Sequence, residues 1–129
     1  MVNSTATLDL AILRIEKKAD ESFTTVSIGD SSKLIVGQKI VAIGNPLGSL
    51  GGTVTDGIVS ALDRNVSIDG ISMTLLQHNA AINPGNSGGA LVNAKGQLVG
   101  INSSKIVSEE YEGMGFAIPV NTVVKICDN

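Results

Sequence analysis

The sequence has no tryptophan, one tyrosine (Tyr111) and two phenylalanines (Phe23 and Phe116), so aromatic rings cannot carry its core. It has one cysteine, Cys127, which excludes an internal disulfide and any disulfide-stapled design. No base lies near Cys127 in sequence, and it reads as an unreactive, half-buried side chain. Basic residues number 9 against 12 acidic ones, for a net charge of −3. They are scattered and leave no nucleic-acid footprint. No apolar run approaches the roughly 20 residues of a membrane-spanning helix. Residues 1–8 have neither the charged start nor the apolar run of a signal peptide. Histidine is equally scarce, with His78 alone.

What is present is aliphatic and sheet-like. Hydrophobic residues make up 43% of 129, β-branched types are abundant, and 15 glycines supply tight turns. The length suits one domain. Alternation with period two dominates. In residues 8–15, Leu8, Leu10, Ile12 and Arg14 share one side, with Asp9, Ala11, Leu13 and Ile15 on the other. That pattern predicts a strand buried on both faces for much of its length. The charged run 16–21 reads as a solvated turn, 24–28 as β-prone, and Gly29-Asp30-Ser31-Ser32 as turn chemistry. Residues 39–43 form a strand stopped by Gly44-Asn45-Pro46-Leu47-Gly48. A long strand follows over 53–67, with Val54, Ile58, Val59 and Leu62 as core candidates.

Asp69-Gly70 predicts a hairpin between 66–68 and 71–77. A second hairpin joins 89–92 to 97–101 through Asn93-Ala94-Lys95-Gly96. The last strand covers 114–118. Pro119 then suits a helix start, with Val120, Val123, Val124 and Cys127 at helical spacing. Six or seven strands and one terminal helix describe an all-β protein, a small antiparallel barrel.

The chemistry concentrates at Gly85-Asn86-Ser87-Gly88-Gly89. A Gly-x-Ser-x-Gly pattern serves two unrelated enzyme designs. In an α/β-hydrolase the serine joins a strand to a helix, but here Pro84 and Gly85 precede it and Gly88-Gly89 and a hairpin follow, which disfavours helix. The other design, of the chymotrypsin type, needs glycines around the serine so that backbone N–H groups converge on one point. There they form an oxyanion hole for the charge of a tetrahedral intermediate. Ser87 is the candidate nucleophile. Residues 44–52 are glycine-rich but lack the Gly-Lys-Ser/Thr of a phosphate loop. Asp30, Asp56, Asp63 and Asp69 are spread singly, without metal-ligand clustering; neither cofactor nor metal is expected.

The segment Ala80-Ala81-Ile82-Asn83-Pro84-Gly85-Asn86-Ser87-Gly88-Gly89-Ala90-Leu91 resembles the nucleophile loop of the HtrA (Deg) family of trypsin-like serine proteases. Asp9-Leu10-Ala11-Ile12-Leu13-Arg14-Ile15 resembles that family's catalytic-aspartate segment. Val41-Ala42-Ile43-Gly44-Asn45-Pro46-Leu47-Gly48, Val54-Thr55-Asp56-Gly57-Ile58-Val59-Ser60 and Gly113-Met114-Gly115-Phe116-Ala117-Ile118-Pro119 match its further signatures in order. The resemblance implies a chymotrypsin-like double β-barrel with the triad ordered His, Asp, Ser. Residues 1–23 would then be a remnant of the first barrel. Residues 24–129 would be the second, six-stranded antiparallel barrel with a short C-terminal helix.

By the same resemblance Asp9 orients the histidine, Ser87 attacks, and Gly85, Asn86 and Ser87 frame the oxyanion hole. The substrate pocket falls on Ala81, Ile82, Asn83, Ile101, Asn102, Ser103, Gly115 and Phe116. A polypeptide substrate with a small aliphatic residue at the cleaved bond is implied. The implied setting is a hydrolase of proteolysis and protein quality control in the cell envelope, with homo-oligomers possible.

His78 follows Asp9 instead of preceding it, and lies nine residues before Ser87. An extended chain of that length spans about 30 Å, so it reads as a structural or surface histidine, not the base. The catalytic histidine belongs to the first barrel, outside this sequence, and the chain alone is expected to be nearly inactive. Two other readings stand beside this one. One is a non-catalytic peptide-binding module that pairs with an extended peptide. The other is a dimer that exchanges the strand over residues 8–15.

Overall fold

The computed structural model describes residues 3–5, 8–45, 52–68, 70–104 and 113–128. Two short strands come first, Asn3–Thr5 (β1) and Leu10–Ile12 (β2), paired antiparallel. The remaining strands are Lys39–Gly44 (β3), Thr53–Ile68 (β4), Ile71–His78 (β5), Ala90–Asn93 (β6), Leu98–Ser103 (β7) and Gly115–Pro119 (β8). These six close into a barrel in the order β3-β4-β5-β8-β7-β6, every neighbouring pair antiparallel. Closure leaves no free sheet edge in the barrel. A helix, Val120–Cys127 (α1), follows β8 directly.

The period of two decides where each side chain goes. Ile40, Ala42, Val59, Leu76, Leu91, Val99 and Ala117 meet with Leu34 and Ala80 in one buried cluster to which every barrel strand contributes. The alternate residues of β5 and β8, namely Met73, Leu75, Phe116 and Ile118, form a second cluster on the outer face. Val123 of α1 and Leu10 of β2 pack against it. The outer cluster thus helps to hold the helix and the β1–β2 ribbon against the barrel.

The hairpin expected at Asp69-Gly70 joins β4 to β5, with Ile68 opposite Ile71. Asp69 itself lies outside the described residues, as do Pro46, Leu47 and Gly48. Four other expectations are corrected. The strand over residues 8–15 shrinks to Leu10–Ile12, and Leu13 and Ile15 are 71% and 72% exposed, because among the described residues no second layer covers them. Residues 24–28 form no strand; Ile28 makes a single parallel bridge to Leu98. Of the four core candidates in β4 only Val59 is buried. Val54 and Ile58 share the opposite face of the strand and point outward, while Leu62 is 37% exposed. Cys127 is exposed, not half-buried.

The start of α1 has Pro119 as its N-cap and no side-chain cap bond. It is fastened instead to the 3₁₀ turn Ser31–Lys33. The Asn121 N–H donates to Ser31 Oγ (3.1 Å), and Asn121 Oδ1 accepts the Ser31 N–H (3.2 Å). Asn121 Nδ2 donates to Asp30 Oδ1 (2.9 Å). The Ser32 hydroxyl first, and then the Asn121 amide, hold the Asp30 carboxyl down to about 2.

The inside–outside assignment has a direct check. Leu91 is fully buried within the barrel and Val54 is 62% exposed. Leu91→Ala is expected to cost about 2–5 kcal/mol in urea unfolding, whereas Val54→Ala changes stability by less than about 0.5 kcal/mol.

Candidate active site

Ser87 stands at the end of a 3₁₀ turn, Pro84–Asn86, and is exposed. The turn has its own cap: the Asn83 side-chain oxygen accepts the Gly85 N–H at 3.1 Å, and Pro84 opens the turn. Proline suits that first position because its missing N–H would find no partner there. The Asn86 N–H bonds the Asn83 carbonyl (3.0 Å), and the Gly89 N–H bonds the Asn86 carbonyl (2.9 Å). The loop is therefore folded on itself on both sides of Ser87.

Three strands grip this loop. On β7, Asn102 takes the Gly88 N–H on its carbonyl (2.8 Å) and returns its own N–H to the Gly89 carbonyl (2.9 Å). On β3, the chain runs so close that a side chain at Gly44 would meet the Asn86 backbone at 2.7 Å. Next to β4, the segment that leads into the loop is stitched down by Thr55 Oγ1 donating to the Ala81 carbonyl (2.9 Å) and by the Ile58 N–H donating to Asn79 Oδ1 (2.8 Å). Gly57 lies directly under that segment, where any Cβ would collide with Asn79 and Ala80. Glycines 44 and 57 thus have a packing reason, the close approach of backbone to backbone.

The Ser87 hydroxyl oxygen accepts the Ser104 N–H at 3.1 Å. Its hydrogen remains available to a base, yet among the described residues no side chain bonds it. Of the two backbone donors expected around an oxyanion, Gly85 N–H is engaged by Asn83.

His78 is not near this hydroxyl chemically. It is the last residue of β5, with 0% of its surface exposed, and faces the barrel interior. Its Nδ1 accepts the Ala80 N–H (3.2 Å), so the ring proton lies on Nε2, which donates to Asn102 Oδ1 (3.1 Å). Loss of hydration in the interior pushes its pKa below the ordinary 6.5, opposed by the bond to Asn102. Both ring nitrogens are occupied by structural bonds.

The expected pocket residues separate into two groups. Ile82, Asn102 and Gly115 converge around His78: a Cβ on Gly115 would lie 2.7 Å from the imidazole Cε1 and 3.1 Å from Ile82 Cγ1. Asn102 and Ser103 are buried, Ile101 is half-buried, and Ala81 and Asn83 are exposed. Phe116 is turned to the opposite face of β8, where it lines a cavity of about 530 Å³ with Arg64, Val66, Gln77 and Met114. Asp9 is exposed, with φ 54°, in the turn between β1 and β2, one residue before Leu10. Such left-handed backbone is uncommon outside glycine and is best tolerated by Asp and Asn. What sequence reasoning missed is the partnership of His78 with Asn102. Its one signal was a polar residue at the end of an otherwise apolar run, Leu75-Leu76-Gln77-His78.

The buried, neutral His78 has a consequence for pH. As pH falls below 6.5 the unfolded chain takes up a proton that the folded chain refuses, so stability must fall as well. The slope approaches about 1.4 kcal/mol per pH unit until the folded-state pKa is reached. Asp30 and Asp56 are both held low and titrate beneath this window. Urea unfolding between about pH 5 and 7.5 should show the fall, and a His78→Gln chain that folds should lose it.

The trypsin-like peptidase domain model matches residues 1–101. The chain is 50% identical to the serine protease Do-like HtrB of Bacillus subtilis across 99% of its length, and 47% identical to a Staphylococcus aureus serine protease HtrA-like across 92%. It spans 29% of the first relative and 16% of the second. Among solved structures, a variant of the HtrA-type protease AlgW with decapeptide superposes with a TM-score of 0.81 at 43% identity, covering 93% of this chain and 36% of that one. AlgW with tripeptide superposes at 0.77, also 43% identical, covering 93% and 39%. The chain belongs to the trypsin-like peptidase domain family, as an HtrA-type serine protease homologue.

Proposed function

We propose that this chain is the nucleophile-bearing portion of an HtrA-type serine endopeptidase, with Ser87 as the attacking residue. The observation that carries the proposal is the exposed Ser87 hydroxyl, held by a glycine-flanked loop that three barrel strands grip. In this reading Ser87 Oγ attacks a peptide carbonyl and passes its proton to a histidine outside these 129 residues, which Asp9 orients. The oxyanion is met by the N–H groups of Gly85 and Ser87 once Asn83 releases Gly85.

Peptide substrates are supported by the relatives whose structures hold a decapeptide or a tripeptide. A small aliphatic residue at the cleaved bond belongs to this proposal through the family resemblance. Work in protein quality control at the cell envelope and assembly into oligomers belong to the same proposal, through the family. Val54 and Ile58, apolar and exposed on β4, are available to a covering partner such as the histidine-bearing barrel.

A buried His78 cannot serve as the base. Loss of the triad histidine costs a comparable protease about 10⁶-fold in turnover. The isolated chain should therefore resist a fluorophosphonate probe, with no Ser87 adduct by mass spectrometry after hours. Stoichiometric labelling within minutes that disappears in Ser87→Ala would show that a base is present after all.

A further inference from the structure

We propose that the buried His78–Asn102 pair is a positioning unit for the Ser87 loop, acting as a neutral imidazole that clamps the loop on both sides of the serine. The inference rests on the reading of Ser87 as the nucleophile for its catalytic meaning, and on geometry alone for its structural content.

The two ring nitrogens lead to the two flanks of Ser87. From Nε2 the path runs to Asn102 Oδ1 at 3.1 Å. Asn102 Nδ2 donates to the Ala90 carbonyl (3.2 Å), which fixes which way the amide faces. The Asn102 main chain then holds Gly88 and Gly89, the two residues after the serine, by the reciprocal bonds of 2.8 and 2.9 Å. From Nδ1 the path runs to the Ala80 N–H at 3.2 Å. The carbonyl of the following residue, Ala81, accepts Asn86 Nδ2 at 3.0 Å, which holds the residue before the serine. One imidazole ring thus spans the two anchors of the loop.

Only one protonation state fits both anchors. The ring must accept at Nδ1 and donate at Nε2. A second proton would set an N–H against the Ala80 N–H and leave a charge in the barrel interior, which breaks the Nδ1 anchor. Among the described residues nothing nearby compensates that charge. The described groups packed around the ring are Val59 of β4, Gly115 of β8, Asn102 of β7 and Ile82. Strands β5, β6, β7 and β8 contain no Asp, Glu, Lys or Arg, and Lys39, Asp56, Asp63 and Arg64 of β3 and β4 are exposed. Burial accordingly holds the imidazole neutral. The expected behaviour is a loop that is well ordered at neutral pH and loosens when His78 is protonated.

The test is an NMR titration of the 129-residue chain that follows the imidazole nitrogens and the backbone amides together. The proposal expects the neutral tautomer with the proton on Nε2, a midpoint below 6.5, and Gly88, Gly89 and Asn102 amides that shift with the same midpoint. In Asn102→Asp the acceptor is kept but a carboxylate now favours the imidazolium, so the ring midpoint should rise and the loop midpoint should rise with it. A structural role alone would change stability without moving the two midpoints together. A ring protonated on Nδ1, or a ring that titrates while the Gly88 and Asn102 amides stay flat, overturns the proposal. The wild-type titration decides this even if the variant does not fold. Failure of the protease reading is separate: it appears as absent fluorophosphonate labelling of Ser87 in the full-length protein while the shared midpoint persists.

Discussion

The reciprocal main-chain bonds between Asn102 and Gly88–Gly89 are the constraint on which the candidate site depends. They dock a loop with little regular structure onto β7 just past the end of its pairing with β6, where Ala90 meets Ile101. The two glycines serve these bonds differently: Gly88 takes a left-handed φ of 84°, and a Cβ on Gly89 would collide with the Ile43 carbonyl. The same bonds put Ser87 at the rim of the barrel, beside the Ser104 N–H.

For Asn102 to do this and also reach His78, β7 has to change phase. Leu91 pairs with Gly100 but Val92 pairs with Leu98, so β7 carries one extra residue there. Such a bulge re-aims the residues beyond it. Val99, the extra residue, faces the interior and so does Asn102 three residues on; without the extra residue one of the two would point outward. Asn102 and Ala117 are register partners, and Leu76 pairs with Ala117 from the other side, so all three share the interior face with His78. Barrel closure, the bulge and the buried polar pair therefore form one arrangement.

The strands and turns of the barrel were legible because period-two patterning and Gly or Pro punctuation act locally. Residues 39–43, 71–77 and 114–118 fall almost where β3, β5 and β8 do. Errors arose where burial depends on a partner that local pattern does not name. Ile58 and Val59 are equally apolar, and only the single inward face of a barrel strand decides that one is at 41% exposure and the other at 0%. Leu13 and Ile15 look like core and are not, since only Leu10 of that segment meets the outer cluster. At the site, the glycines around residue 87 marked a tight turn, and the structure has one there, Pro84–Asn86. The function of Gly44 and Gly57 was not evident, because their reason is a contact with residues about 40 and 20 positions away along the chain. The resemblance placed Phe116 in one pocket with Gly115, yet adjacent strand residues face opposite sides.

A loop anchored on a barrel strand and through a buried imidazole is a rigid support for the exposed Ser87 hydroxyl. The rigidity is the central claim, and amide hydrogen exchange at Gly88 and Asn102 measures it most directly. If the account is right, these two amides exchange as slowly as those of Leu91 and Val99 in the barrel, through global unfolding. Fast exchange at Gly88 and Asn102 while Leu91 and Val99 stay protected would contradict it.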